Sequence, residues 1–230
     1  MSKLEGKTIV IAGATGDAGR ATASAMLEQG ANLVMLSTSS DQLTTMLEDL
    51  EQYTPRVRGY LVDASSFTGM TDLADSLSSR GVLIDGFVNL IGGWRPTPIG
   101  SVNPADLRWL NSRLVESVAS SINAFGDVLR ERGGKYVLVS TPNAEHPTRN
   151  NAGHGAAKAA AESWVRSLAG HFTGSQATAH IFVVTALVND RVRYEQPDRG
   201  FKNATETTLL AEHIAELWEI PLENGSRTCL

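Results

Sequence analysis

A single cysteine, Cys229, stands among 230 residues, so neither a disulfide framework nor a multi-cysteine metal site can form within the chain. Five histidines are present, but they are scattered and show no metal-ligand spacing. Basic excess is also missing. Twenty Lys and Arg against twenty-five Asp and Glu leave a net charge of −5, which argues against a nucleic-acid partner. The apolar runs are short and no stretch approaches the ~20 residues of a membrane-spanning helix. The opening stretch "MSKLEGKTIVIAG" shows no long apolar h-region before a cleavage site. The expectation is a cytoplasmic protein with no membrane partner. Internal repeats, low-complexity segments and linkers are lacking too, which points to one domain over residues 1–230.

What is present is a strict alternation of short apolar runs with longer amphipathic ones. Strands are expected at 7–12, 32–36, 57–62, 84–90, 135–140 and 179–188. Helices are expected from the glycine-rich turn to about 29, over 40–52, near 68–79, from Pro104 onward, from about 150 to Phe172, and over 207–219. Asn103 before Pro104 makes a good N-cap with proline at the first helical position. The tail "GSRTCL" suits an edge strand, and the polar region 189–206 a loop. Strands that are apolar throughout, alternating with helices, mean a doubly wound parallel sheet covered on both faces, a three-layer α/β/α architecture.

"VIAGATGDAGRATA" follows the first strand and opens the first helix, with glycines at Gly13, Gly16 and Gly19. In that position glycines make a tight turn, and the backbone amides of a helix N-terminus can hold a pyrophosphate. Thr15 lies in the same loop. Asp17 also lies there, where it favours the helix dipole but would repel a phosphate.

These residues resemble the short-chain dehydrogenase/reductase family over nearly the whole chain. The family's TGxxxGxG loop reads "AGATGDAG", keeping Gly13 and Gly19, with Asp17 at the middle glycine and Gly16 giving the spacing of the atypical branches. The aspartate that contacts adenine after the third strand looks like Asp63, followed by Ala64. The family's NNAG reads "NLIG", keeping Asn89 and Gly92. Its catalytic asparagine on the long helix looks like Asn111 in "RWLNSRL". Lys158 matches the lysine of YxxxK, the tyrosine position is His154, and thirteen residues earlier, where the family has serine, stands Thr141 beside Ser140. The Pro-Gly after the sixth strand reads Thr185-Ala186. The resemblance implies a Rossmann-like fold, a nicotinamide dinucleotide, a small-molecule carbonyl or alcohol substrate, and a homodimer or homotetramer.

Cofactor choice is read at the end of the second strand, where Ser37, Thr38, Ser39 and Ser40 replace the acidic residue that binds the NAD ribose. Hydroxyls without a carboxylate favour NADP(H) over NAD(H), and Arg20 could reach the same area. The competing reading is that "STSSD" only caps the next helix, with Ser40 or Asp41 as N-cap.

His154 and Lys158 lie one turn apart on one helix face. A histidine nitrogen falls about 2 Å short of a tyrosine oxygen, and a misplacement of about 1 Å can cost 10²-fold. The lysine's charge lowers the histidine's pKa, which suits a base better than an acid. The plainer reading is a helix-start histidine without catalytic work. Three functions follow: an oxidoreductase with an altered acid/base residue, a cofactor-binding protein without redox chemistry serving regulation or assembly, or a lyase or isomerase with His154 as base. Trp94 and Arg95 either line a pocket or pack on the long helix. The stripe Leu107, Leu110, Leu114, Val118 serves either as core or as an oligomer face. Arg191, Arg193 and Arg199 share their stretch with Asp190, Glu195 and Asp198, which reads as a solvated mixed-charge surface.

Overall fold

The computed structural model describes residue 2, residues 4–220 and residues 223–230. In chain order its elements are β1 (Thr8–Ala12), α1 (Asp17–Glu28), β2 (Asn32–Ser37), α2 (Ser40–Asp49), β3 (Val57–Leu61), α3 (Phe67–Ser79), β4 (Gly86–Asn89), α4 (Pro104–Asn111), α5 (Ser117–Arg132), β5 (Lys135–Ser140), α6 (Ala152–His171), β6 (Thr178–Val183), β7 (Leu187–Val188), α7 (Asp190–Glu195), β8 (Thr205–Glu206), α8 (Thr207–Glu216) and β9 (Arg227–Cys229). Seven of the strands form one sheet in the order β3-β2-β1-β4-β5-β6-β9, and every pairing in it is parallel. The tail does form the edge strand, β9. Chain order reverses between β1 and β4. At that switch point the carboxyl ends of the strands open a crevice, the usual ligand position in such sheets.

Parallel strands need both faces covered, and two apolar layers do this. Val10, Phe87, Val118, Phe125, Tyr136 and Val165 pack between the sheet and α3, α5 and α6. Ile9, Ile11, Met26, Met35, Ile214 and Trp218 fill the opposite face under α1 and α8. The Phe87 ring stacks on Tyr136 at 5.5 Å and meets Phe125 at 5.3 Å. The buried Tyr136 hydroxyl is matched by Ser121 Oγ at 2.8 Å, as a buried polar group requires.

Four boundaries differ from the sequence reading, each for a local reason. The sixth strand stops at Val183. Past Thr185-Ala186 the chain leaves the main sheet, and Leu187–Val188 pairs with Thr205–Glu206 instead. The stretch 189–206 is not simply a loop: Asn189 Oδ1 accepts from Val192 N at 2.9 Å and so caps the short helix α7. The N-cap of α2 is Ser39, whose Oγ accepts from Gln42 N, and not Ser40 or Asp41. The long helix from Pro104 is interrupted by a π turn over Ser112–Glu116. Asn103 does cap it, accepting from Ala105 N at 2.9 Å. Of its apolar stripe, Leu110, Leu114 and Val118 are core, and Leu107 alone is exposed.

Candidate active site

A cleft of about 1120 Å³ opens at the switch point. The glycine loop forms one wall, with Gly13, Thr15, Gly16, Asp17 and Gly19; Ser37 and Thr38 close the β2 end; Asp63, Ala64 and Gly92 line the far side. Ten of the residues singled out in the sequence therefore meet in one place.

Local chemistry fixes several of them. Gly13 adopts φ +78°, and a Cβ there would lie 2.9 Å from the Leu90 carbonyl carbon. A Cβ on Gly19 would lie 2.3 Å from Gly13 O, so α1 can approach the loop only with glycine. Thr15 Oγ1 donates to Gln42 Oε1 at 3.2 Å. Ser37 Oγ donates to Ser39 O and accepts from Ser39 N. The Ser37 hydroxyl thus takes part in the turn, at a residue that also lines the cleft. Asp63 Oδ1 accepts from the backbone and hydroxyl of Ser65, at 2.9 and 2.8 Å. Asn89 is buried behind the cleft wall, where its Oδ1 accepts from Ile91 N and sets the turn after β4. Arg20 borders the cleft, but its guanidinium is engaged by Asp49 at 2.8 Å.

A second cluster lies at the carboxyl end of β5. Thr141, His154 and Lys158 are all buried there, outside the lining of the large cleft. Lys158 Nζ donates to Val139 O at 2.8 Å. Burial pulls its pKa down to about 8, with the Glu162 carboxylate opposing the shift. His154 is pushed down to about 4, first by burial and then by the Lys158 charge, so its imidazole is neutral at pH 7. No partner is found for His154 Nδ1 among the described residues. Glu162 anchors the cluster: it accepts from Ser140 Oγ at 2.6 Å, Arg166 Nη2 at 2.7 Å and Arg227 Nε at 3.1 Å. Glu162→Gln is expected to cost about 2 kcal/mol, because it leaves buried donors and cations without their charge partner. Urea unfolding at pH 7 checks this, and an unchanged midpoint would contradict it.

Asn111 does not line the large cleft. Its Nδ2 reaches Glu116 Oε1 at 3.3 Å, and it borders a separate shallow groove between α4 and α6. The residues of this helix that do face the cleft are Trp109, Ser112, Arg113 and Ser117. Ser117 is buried and donates to Arg113 O at 2.5 Å. The π turn begins one residue after Asn111 and offsets the helical phase of the residues that follow it. Neither Trp94 nor Arg95 lines the cleft: Trp94 is exposed, and Arg95 alone packs on the helix, binding Asp106 at 2.7 Å and stacking over Trp109 at 4.3 Å.

Sequence reasoning missed Arg191 as well. It reaches across the cleft mouth to Asp17, with Nη2 on Oδ2 at 2.5 Å and Nε on Oδ1 at 3.3 Å. Among the described residues no group of His, Cys, Asp and Glu could hold a metal, and no helix is long and apolar enough to cross a membrane.

A family model described as "Enoyl-(Acyl carrier protein) reductase" matches residues 13–206. The chain belongs to the short-chain dehydrogenase/reductase family. A 7alpha-hydroxysteroid dehydrogenase of Escherichia coli K12 is 26% identical over 168 residues, 73% of this chain and 66% of that protein; the chain thus spans about two thirds of that relative's length. The structure of L-sorbose reductase from Gluconobacter frateurii, complexed with NADPH and L-sorbose, superimposes with TM-score 0.85 at 19% identity, covering 99% of this chain and 95% of the other. A 7alpha-hydroxysteroid dehydrogenase complexed with NADH and 7-oxo glycochenodeoxycholic acid does so with TM-score 0.84 at 20% identity, covering 99% and 93%. At these identities the superpositions speak for the fold: a Rossmann-like sheet shared along the whole chain.

Proposed function

We propose that this chain is an NADP(H)-dependent oxidoreductase that interconverts a carbonyl and an alcohol on a small molecule, with His154 at the position of the family's tyrosine. The observation that carries the reading is the cleft. It has the volume for a dinucleotide, a glycine loop against a helix N-terminus, and hydroxyls in place of a carboxylate at the end of β2. The loop from Gly13 to Gly19 would hold the pyrophosphate, Ser37 and Thr38 the 2′-phosphate, and Asp63 and Ala64 the adenine. Lys158 would hold the nicotinamide ribose. The bound nicotinamide would supply or accept the hydride.

The chain's own part in the chemistry is to hold the substrate oxygen and a proton. A neutral His154 N–H can hydrogen-bond a carbonyl oxygen, or its free nitrogen can accept from an alcohol. With a pKa near 4, the imidazole is a weaker base than an ordinary histidine. Lys158, with a pKa near 8, keeps an ammonium proton one turn away at neutral pH. The reading includes a cytoplasmic homodimer or homotetramer. Support for the oligomer comes from exposed Leu107 on α4 and exposed Trp164 on α6.

Titration with NADPH and NADH, followed by cofactor fluorescence, tests the cofactor claim. NADPH is expected to bind about tenfold tighter, since a charge-assisted contact is worth roughly 1.5–3 kcal/mol. Binding of neither would remove the proposal. Turnover is then measured on a panel of carbonyls and alcohols. His154→Ala is expected to lower kcat about 100-fold, within the usual range for a lost proton-transfer group. His154→Tyr is expected to restore or raise activity. Turnover unchanged in His154→Ala would remove the histidine's role and leave the cofactor claim standing.

A further inference from the structure

The glycine loop contains one acidic side chain, Asp17, as the first residue of α1. A carboxylate there favours the helix dipole, yet it stands where the loop would receive a dianionic pyrophosphate. Bare, it would repel the ligand that the loop is shaped to bind. The structure does not leave it bare. Arg191 enters from α7, more than 170 residues away in sequence, and takes both carboxylate oxygens with Nε and Nη2. Its Nη1 is held by both oxygens of Glu195 at 2.7 Å, which fixes the guanidinium in the bridging rotamer.

The helix carrying Arg191 is itself fixed in two ways: Asn189 caps it and Arg193 pairs with Glu206; its Val192 lines the same cleft as Asp17. Arg20, which follows the loop directly in the sequence, is taken by Asp49. Arg191 is therefore the guanidinium positioned to cancel Asp17, and a paired fork leaves the amides of the α1 N-terminus to act on an anion.

We infer that Arg191 is a charge-compensating residue of the cofactor loop: by pairing with Asp17 it lets an acid-bearing glycine loop accept the pyrophosphate of a nicotinamide dinucleotide. This rests on the cofactor claim made above, and it adds a positioning residue that acts through Asp17. It also makes the two positions interdependent: glycine at 17 has no need of arginine at 191.

A double-mutant cycle read by NADPH fluorescence titration tests the inference. Arg191→Ala in the otherwise unchanged chain is expected to weaken NADPH binding about tenfold at low salt, because it exposes the ligand to an uncompensated carboxylate. In an Asp17→Gly background the same substitution is expected to change the affinity by less than about twofold. Arg191→Lys, which keeps the charge without the fork, is expected to recover part of the loss. The tenfold effect is expected to shrink as ionic strength rises. Thermal melting of each variant without cofactor controls for folding. Equal losses in both backgrounds would overturn the inference, because Arg191 would then act independently of Asp17. No loss in either background would overturn it as well. Binding of NADPH by the unsubstituted chain in those cases would show that the cofactor claim survives. A chain that binds neither dinucleotide removes both.

Discussion

Gly19→Ala is expected to destabilise the fold by more than about 3 kcal/mol and to lower NADPH affinity more than about 100-fold, the upper end for overpacking combined with displaced ligand groups. The added methyl would meet three backbone atoms, Gly13 O at 2.3 Å, Ala14 O at 2.4 Å and Ala14 C at 2.6 Å. No side-chain rotation can relieve a clash with backbone, so the helix must lift from the loop. Lifting α1 moves the amides that face the cleft and loosens the packing of Ala23 and Met26 beneath it. Gly16→Ala provides the contrast. Its φ is −75°, and a Cβ would sit 3.5 Å from the nearest heavy atom, Gly13 O, which is ordinary contact. That variant is expected to stay within about 0.5 kcal/mol of the parent, as unstrained substitutions do. Urea unfolding and NADPH titration of the two variants side by side check the claim. Equal behaviour would show that helix approach is not what requires glycine at 19.

Stability is expected to fall steeply between pH 6.5 and pH 4 because two histidines are buried in neutral form. His154 and His180 are each pushed from 6.5 down to about 4, chiefly by burial. His180 lies within β6, with Nδ1 2.7 Å from Ser226 Oγ and Nε2 2.9 Å from Thr178 Oγ1. Between pH 4 and 6.5 the unfolded chain binds more protons at these sites than the folded one. Acidification therefore favours unfolding there, and the stability contribution is present above pH 6.5 and lost as the pH falls through 4. Both shifts act in the same direction over that window, so their effects add. Urea midpoints measured from pH 7.5 to 4.5 should fall accordingly. His180→Gln should flatten the dependence, since an uncharged amide can keep hydrogen bonds to Ser226 and Thr178. A midpoint that is flat across this range would show that both rings take up protons without unfolding.

The parts of the site legible in the sequence are those made by neighbours in the chain. Gly13, Gly16 and Gly19 announce their turn because tight turns and close helix approach need glycine at fixed offsets. Asn103-Pro104 announces its helix for a similarly local reason. Legibility ends where a contact joins distant residues. Arg191 looks like one charge among several in a polar stretch, and only the folding of α7 against the loop gives it Asp17 as a partner. The resemblance marks Asn111, but the lining of the groove against α6 that it shares with Leu107 and Ala157 cannot be read from the chain. The break of the sixth strand before Thr185-Ala186 is hidden because the apolar run resumes at once with Leu187–Val188 in a second sheet.

The π turn at Ser112–Glu116 works as a clutch between two surfaces. On one side of the helix, Leu107 and Asn111 belong to the groove against α6; on the other, Trp109, Arg113 and Ser117 belong to the cleft. Removing one residue from the turn would restore regular winding and rotate Pro104–Asn111 by about 100° relative to α5. The outer groove and the cleft wall would then be disturbed together. A change at either surface of this helix is therefore felt at the other, and the single extra residue of the turn keeps them in register.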